Sequence, residues 1–272
     1  ELNLRAGEEV ARHTGAEAGL VIASACAGMQ LQAAACMTGT DTARIARLPD
    51  STGMKNEILL PRTHHMEYDR SYRSAGARLV EWGSPRECKV WELEDAITER
   101  TAAAAYIMRN WRYGDLPLPE LVAVAHRHGV PVIVDGSGMV PPPENLTRYI
   151  DEGADLVTYS GGKGLEGPQS TGLLCGRAEL IEAARLNMSP MPGVGRPAKV
   201  GKEEIIGLLA ALERFANLDH EARWQRWRDM AERIAEAVRD IDGLAVTVEE
   251  ENPPRQGPQP VVYFESAWRG PR

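Results

Sequence analysis

No two cysteines stand at C-x-x-C spacing, and none of the four, Cys26, Cys36, Cys88 and Cys175, lies near a histidine at zinc-finger distance. No metal site is expected on that count. Free thiols in a reducing compartment, the cytoplasm, are the plain reading. Apolar runs approaching the roughly 20 residues that span a bilayer are missing, as is a charged-then-apolar leader, so no membrane partner is expected. There is no basic surplus either. The net charge is −8 and the pI about 5.4, whereas nucleic-acid binding is driven by neutralising phosphates with cations, so no nucleic-acid partner is expected. The phosphate-loop pattern G-x-x-x-x-G-K-[ST] is also absent. Gly161-Gly-Lys163 is followed by Gly164 instead of the hydroxyl residue that a magnesium ion would need.

What is present is a chain of 272 residues, 43% hydrophobic, enough for one substantial core and a smaller appended unit. Short apolar runs alternate with helical segments through the first two thirds. Strands are predicted at 19–23, 57–60, 77–81, 102–108, 131–134, 155–159 and 171–175, and their lengths suit buried strands. Pro117-Leu-Pro119 opens a helix over 120–127 that Gly129 stops. This alternation predicts an α/β fold, a mostly parallel central sheet with helices on both faces. From about residue 201 a long helical stretch runs to Asp240, broken around Asn217–Asp219. A strand pair, 244–249 and 260–264, then flanks a Pro/Gly-rich loop. These divide the chain into a large domain, 1–205, and a small C-terminal α+β domain, 206–272. Trp224 and Trp227, three apart on the long helix, read as packing residues. The chain starts on Glu1 already in a helical pattern and stops just after a strand, so it reads as a piece of a longer one.

The most informative stretch runs from Asp155 to Arg177. A buried strand leads into a turn holding Ser160, Gly161, Gly162 and Lys163, followed by a second glycine-studded turn and another apolar strand. A lysine at the end of a buried strand would lose solvation as a cation, which favours its neutral, nucleophilic form and Schiff-base chemistry. Ser160 can offer a hydroxyl to a phosphate, and glycines admit backbone N–H groups to an anion. Alone, the motif is equally a surface lysine in a glycine-rich loop. Asp135 shifts that balance. It ends the apolar strand Val130-Pro-Val-Ile-Val-Asp135, where an α/β sheet delivers side chains to its ligand crevice, although Asp before Gly also makes ordinary turns. A third element is the turn Ser24-Ala-Cys-Ala-Gly28 entering a helix over 29–37, small residues at a helix start where anions bind. His64 and His65 follow another strand end and could stack on a ring or pass protons. By themselves they read as loop histidines.

With these residues in view, the chain resembles the selenocysteine synthase-like branch of fold-type I pyridoxal-phosphate (PLP) enzymes, which includes L-seryl-tRNA(Sec) selenium transferase and D-glucosaminate-6-phosphate ammonia-lyase. The resemblance rests on Tyr159-Ser-Gly-Gly-Lys163-Gly-Leu-Glu-Gly-Pro-Gln169. Four further stretches match in order: Thr14–Ala18, Arg62–Asp69, Val132–Gly138 and Gly195–Lys202. It covers roughly residues 4–215. It implies pyridoxal 5'-phosphate held as a Schiff base on Lys163, with Asp135 on the pyridine nitrogen and His64 stacked on the ring. Ser160 and the Ala25-Cys26 turn would hold the phosphate, and Asn110 would reach the phenolic oxygen. Arg196 and Lys199 would face the substrate anion from a neighbouring subunit of a homodimer or larger homo-oligomer; by themselves they read equally as surface charge. The branch's N-terminal segment, and the part of its small domain that often holds a substrate-carboxylate arginine, have no counterpart here.

PLP chemistry fixes the reaction to carbanion formation at an amino acid's α-carbon. Within this branch the recurrent outcome is loss of a β-substituent. The expectation is an α,β-eliminating ammonia lyase acting on a small amino acid or amino sugar acid, with Lys163 as the α-proton base. An aminotransferase, racemase or aldolase would share the frame. So would a non-catalytic relative that acts as a binding partner, although the joint presence of Lys163, Asp135 and His64 speaks against it.

Overall fold

The computed structural model describes residues 1–108, 114–250, 257–266 and 268–270. In chain order the elements are α1 (Leu2–Thr14), β1 (Ala18–Ile22), α2 (Ala25–Thr38), α3 (Thr42–Arg47), β2 (Glu57–Pro61), α4 (Arg70–Ser74), β3 (Arg78–Trp82), α5 (Val90–Ala96), β4 (Thr101–Ile107), α6 (Leu118–Arg127), β5 (Val132–Asp135), α7 (Asn145–Asp151), β6 (Leu156–Ser160), β7 (Gly172–Gly176), α8 (Ala178–Leu186), α9 (Lys202–Ala216), α10 (His220–Arg239), β8 (Leu244–Glu249) and β9 (Gln259–Phe264).

Seven strands form one sheet in the order β1-β7-β6-β5-β4-β2-β3. All run parallel except β7, which is antiparallel to both its neighbours, β1 and β6. The fold is therefore the expected mostly parallel α/β sheet. Parallel strands covered on both faces send alternate side chains into two separate cores. On one face Ile58, Leu60, Ala103, Ala105, Ile107, Ile133 and Leu156 pack with residues of α2 and α8. On the other, Leu59, Ala104, Tyr106, Val132, Val134 and Val157 pack with residues of α1, α6 and α9. The central strands β2, β4 and β5 are buried along their whole length.

The expected break in the long helix is real. α9 ends at Ala216, and Asp219 caps α10 by accepting the Ala222 N–H at 2.9 Å. The domain division expected at 205/206 lies inside α9, whose Ile205, Leu208, Leu212 and Phe215 belong to the large core. Beyond Asn217–Asp219, α10, β8 and β9 contact one another. β8 and β9 make a two-stranded antiparallel sheet. No helix among the described residues is long and apolar enough to cross a membrane.

At the N-terminal end of β6 the buried Asp155 staples three elements. Its carboxylate accepts the Val132 N–H at 2.7 Å and pairs with His126 at 2.8 Å and Arg177 at 3.0 Å. Asp155→Ala removes a buried carboxylate and strands the donors facing it, so we expect a loss of about 3 kcal/mol. This would appear as a lower denaturant midpoint at unchanged slope; a midpoint equal to wild type would contradict the staple.

Candidate active site

The C-terminal ends of β5 and β6 and the N-terminus of α2 converge on a cleft of about 190 Å³, lined by Ser24, Ala25, Cys26, Met29, Met66, Tyr68, Asp135, Ser137, Ser160 and Lys163. Local chemistry explains how α2 comes to point into it. Ser24 caps the helix, its Oγ accepting the Ala27 N–H at 3.1 Å. The amides of Ala25 and Cys26, in the first turn, lie beyond the reach of intrahelical bonding. Close packing fixes the helix laterally, since a Cβ on Gly28 would lie 2.0 Å from Thr158 Oγ1 on β6. On β7, a Cβ at Gly172 would stand 2.9 Å from the Ser24 carbonyl carbon and 3.1 Å from the Ala25 nitrogen. Only glycine at 28 and 172 lets the helix start sit against the sheet. Gln32 adds a polar tie, its Nε2 donating to the carbonyls of Val134 and Leu156 at 3.0 and 3.2 Å.

Asp135 ends β5 at the cleft and is only 3% exposed. Its Oδ1 accepts the Ser137 N–H at 2.9 Å. Burial pushes its carboxyl above the ordinary range, against the opposing pull of the Ser137 hydrogen bonds and of the nearby Lys163. Tyr72, wholly buried, feels the same carboxylate. Burial first, then Asp135, Cys36 and Asp69, raise its phenol well above the usual value, and its hydroxyl has no hydrogen-bond partner among the described residues.

Lys163 lies in the turn after β6, at the cleft, and is exposed. The expected desolvation of this lysine is thus corrected: β6 ends at Ser160, and the turn carries Lys163 three residues past the buried strand. The turn itself is braced. Glu166 adopts a left-handed backbone, φ 57°, a conformation unusual for a side chain of this kind. Its N–H bonds the Lys163 carbonyl at 2.9 Å. The Glu166 carboxylate is shared by Arg214 of α9 and Arg223 of α10, which hold its carboxyl below the ordinary range. Arg223 also donates to the Gly164 carbonyl at 3.3 Å.

Ser160, Ala25, Cys26, Asp135 and Lys163, from three separate stretches of sequence, therefore line one cleft. Other expected residues do not join them. His64 is wholly buried and absent from the cleft lining. Its Nδ1 accepts the Ile107 N–H at 3.1 Å, its Nε2 lies 3.2 Å from Asp115, and its ring stands edge-on to Tyr106 at 4.4 Å. The cleft instead meets Met66 and Tyr68 from the same segment. Arg196 and Lys199 are exposed and outside the cleft, on a segment anchored by Gly195, whose close approach to Leu31 leaves no room for a side chain. Asn110 lies outside the described residues. Tyr68, Ser137 and Met66 were missed by sequence reasoning. The one available signal was position: Ser137 lies two residues after the end of β5, and Met66 and Tyr68 lie five and seven residues after the end of β2.

Chemically, the cleft offers an anion cradle of helix amides and a hydroxyl, a buried carboxylate, an aromatic surface and a primary amine. That donor set fits a phosphorylated, nitrogen-containing ring bearing a carbonyl. Fold and cleft together define a fold-type I α/β protein. The chain belongs to the L-seryl-tRNA selenium transferase family, SelA, whose model matches residues 7–239. It is 39% identical over 249 residues to a 5'-C-glycyluridine monooxygenase-decarboxylase from Streptomyces, covering 88% of this chain and 60% of that protein. It is 36% identical over 253 residues to the D-glucosaminate-6-phosphate ammonia lyase of Salmonella typhimurium, covering 91% and 65%. The chain thus spans less than two thirds of these relatives. Among solved structures, a D-glucosaminate-6-phosphate ammonia-lyase matches with a TM-score of 0.81 at 33% identity, over 97% of this chain and 70% of that one. A pyridoxal-5'-phosphate dependent protein of Escherichia coli shares the fold, with a TM-score of 0.66 at 16% identity.

Proposed function

We propose that the chain is the cofactor-binding part of a PLP-dependent enzyme acting at the α-carbon of a small amino acid or amino sugar acid, and that the reaction is an α,β-elimination releasing ammonia. The observation that carries this reading is the convergence of Asp135, Lys163 and the α2 N-terminus on one cleft. When bound, PLP supplies an electron sink for the pair left when a bond to the α-carbon breaks.

The protein's own residues do the rest. The amides of Ala25 and Cys26 and the Ser160 hydroxyl bind the phosphate, with the α2 dipole favouring its charge. Asp135 holds a proton on the ring nitrogen; ionised opposite a cation, it is relieved of the burial that otherwise raises its pKa. Tyr68 and Met66, on the cleft wall, would cover the ring, the role the resemblance gives to His64. Lys163, at the cleft, would hold the cofactor through its amine and is the group placed to take the proton from the substrate's α-carbon. Arg196 and Lys199, exposed and away from this cleft, suit a neighbouring copy's substrate anion, which supports a homo-oligomer.

The names of the relatives from Salmonella and of the 0.81 structural match support the lyase reading. The name of the Streptomyces relative, a monooxygenase-decarboxylase, favours a second one, an oxygen-dependent decarboxylation, so the assay should follow ammonia, carbon dioxide and oxygen uptake together. The first test is borohydride reduction of the PLP-loaded protein followed by peptide mapping. A phosphopyridoxyl mass on Lys163 and loss of the near-visible absorption band are expected; modification spread over surface lysines, with no reducible band, would reject the reading.

A further inference from the structure

A second cleft, also of about 190 Å³, shares no lining residue with the first. It is lined by Pro141, Pro142, Pro143, Glu144, His220, Glu221, Arg223, Trp224 and Trp227. His220, Arg223, Trp224 and Trp227 stand at i, i+3, i+4 and i+7, so they form a single stripe along α10. The three prolines make the opposite wall.

Two buried polar atoms of residues lining this cleft are left over. Arg223 is 5% exposed. Its Nη2 is occupied by Glu166 and the Gly164 carbonyl, and Trp227 lies 4.5 Å beneath the guanidinium. Its Nη1 is buried with no hydrogen-bond partner among the described residues. One turn earlier, His220 pairs its Nε2 with the Phe215 carbonyl at 2.9 Å, leaving Nδ1 buried and unpartnered. An unmet guanidinium N–H out of water carries a substantial penalty, which an anionic oxygen would remove with a charge-assisted bond.

Charge narrows the ligand. Arg214 and Arg226 reinforce the positive field at Arg223, whose own carboxylate partner, Glu166, is shared with Arg214. Two exposed carboxylates, Glu144 and Glu221, stand at the mouth and would repel a multiply charged anion such as phosphate. A monoanion with a flat apolar body meets both conditions, its head on Arg223 Nη1 and its body between Trp224 and the prolines. The volume equals about six waters, the scale of a single ring. We propose that this cleft is a second binding site, for a small aromatic or apolar carboxylate, distinct from the cleft of Lys163 and Asp135.

Benzoate is a suitable probe. On the full chain, benzoate should quench tryptophan fluorescence saturably, benzamide should bind at least tenfold more weakly, and inorganic phosphate should not compete. Photolysis with 4-azidobenzoate should label peptides containing residues 141–144 or 220–227. Arg223→Lys should weaken benzoate at least tenfold. Because that change could also loosen the turn, the benzamide comparison and the label map are made on the unaltered protein. Equal affinity for benzamide, label confined to other peptides, or displacement by phosphate would each overturn the proposal. Since none of these readouts needs a reducible cofactor on Lys163, the site stands or falls apart from the PLP reading.

Discussion

Lys163→Ala is expected to lower turnover at least a thousandfold while leaving the protein folded. Two losses combine: the covalent hold on the cofactor and the base for the α-proton. General acid–base catalysis alone is worth about 10²–10⁴-fold, and covalent activation adds to it. Because Lys163 is exposed in its turn and Glu166 holds that turn through its own N–H and carboxylate, the melting temperature of the cofactor-free protein should scarcely move. A small primary amine added to the variant should restore part of the proton transfer and none of the covalent label. A variant keeping more than about a tenth of wild-type turnover would remove Lys163 from the chemistry.

The second large effect concerns Asp135. Removing one member of a buried charge pair costs about 3–5 kcal/mol, so Asp135→Asn should reduce kcat/KM by roughly a hundredfold to several thousandfold, at about 1.4 kcal/mol per factor of ten. Its effect on the empty protein runs the other way. The folded carboxyl titrates above its ordinary value of 3.8 because it is buried. The folded state therefore holds this proton more tightly than the unfolded state does. Stability is highest below 3.8, falls as pH climbs through the raised folded value, and is level above it. The cofactor-free wild type should lose ground to Asp135→Asn as pH rises from acidic to neutral, measured as melting temperature against pH. If the two curves stay parallel, the charge of Asp135 carries no folding cost. Together the two measurements would show a residue kept for binding at the expense of the empty fold.

The sequence made the sheet legible because most of its seven strands are short apolar runs between turn residues, a pattern that burial on two faces enforces, the half-exposed edge strand β3 (Arg78–Trp82) being the exception. Asp135 and Lys163 were legible for a related reason, since both follow strands whose ends deliver side chains to the crevice. The reversed direction of β7 was not readable, because an apolar run has no sense of direction. The exposure of Lys163 was misjudged by extending the burial of β6 into a turn that leaves the sheet after Ser160. His64 was placed at the cleft by its position after β2, yet its Nδ1 is taken by the Ile107 amide at the end of β4, a contact that depends on tertiary register. The bracing of Glu166 by Arg214 and Arg223 was invisible for the same reason: the helices that supply those arginines lie about fifty residues downstream and carry no local mark of their target.

The reversed strand has a consequence for how the chain is made. β1 is the earliest in sequence of the seven strands described, yet its ladder partner is β7, the latest of them, with Leu20 opposite Leu174. Until β7 leaves the ribosome, β1 has no ladder partner among the described residues and α2 lacks the strand whose Gly172 lets its start seat against the sheet. A nascent chain ending before residue 176 would therefore carry the mostly apolar helix α2, buried along most of its length in the finished fold, with part of its cover missing. Such late, long-range closure folds slowly and leaves apolar surface open to aggregation meanwhile. The protein should thus lean on chaperones during synthesis, and the ability to bind an anion at α2 should appear abruptly as the last sheet strand emerges.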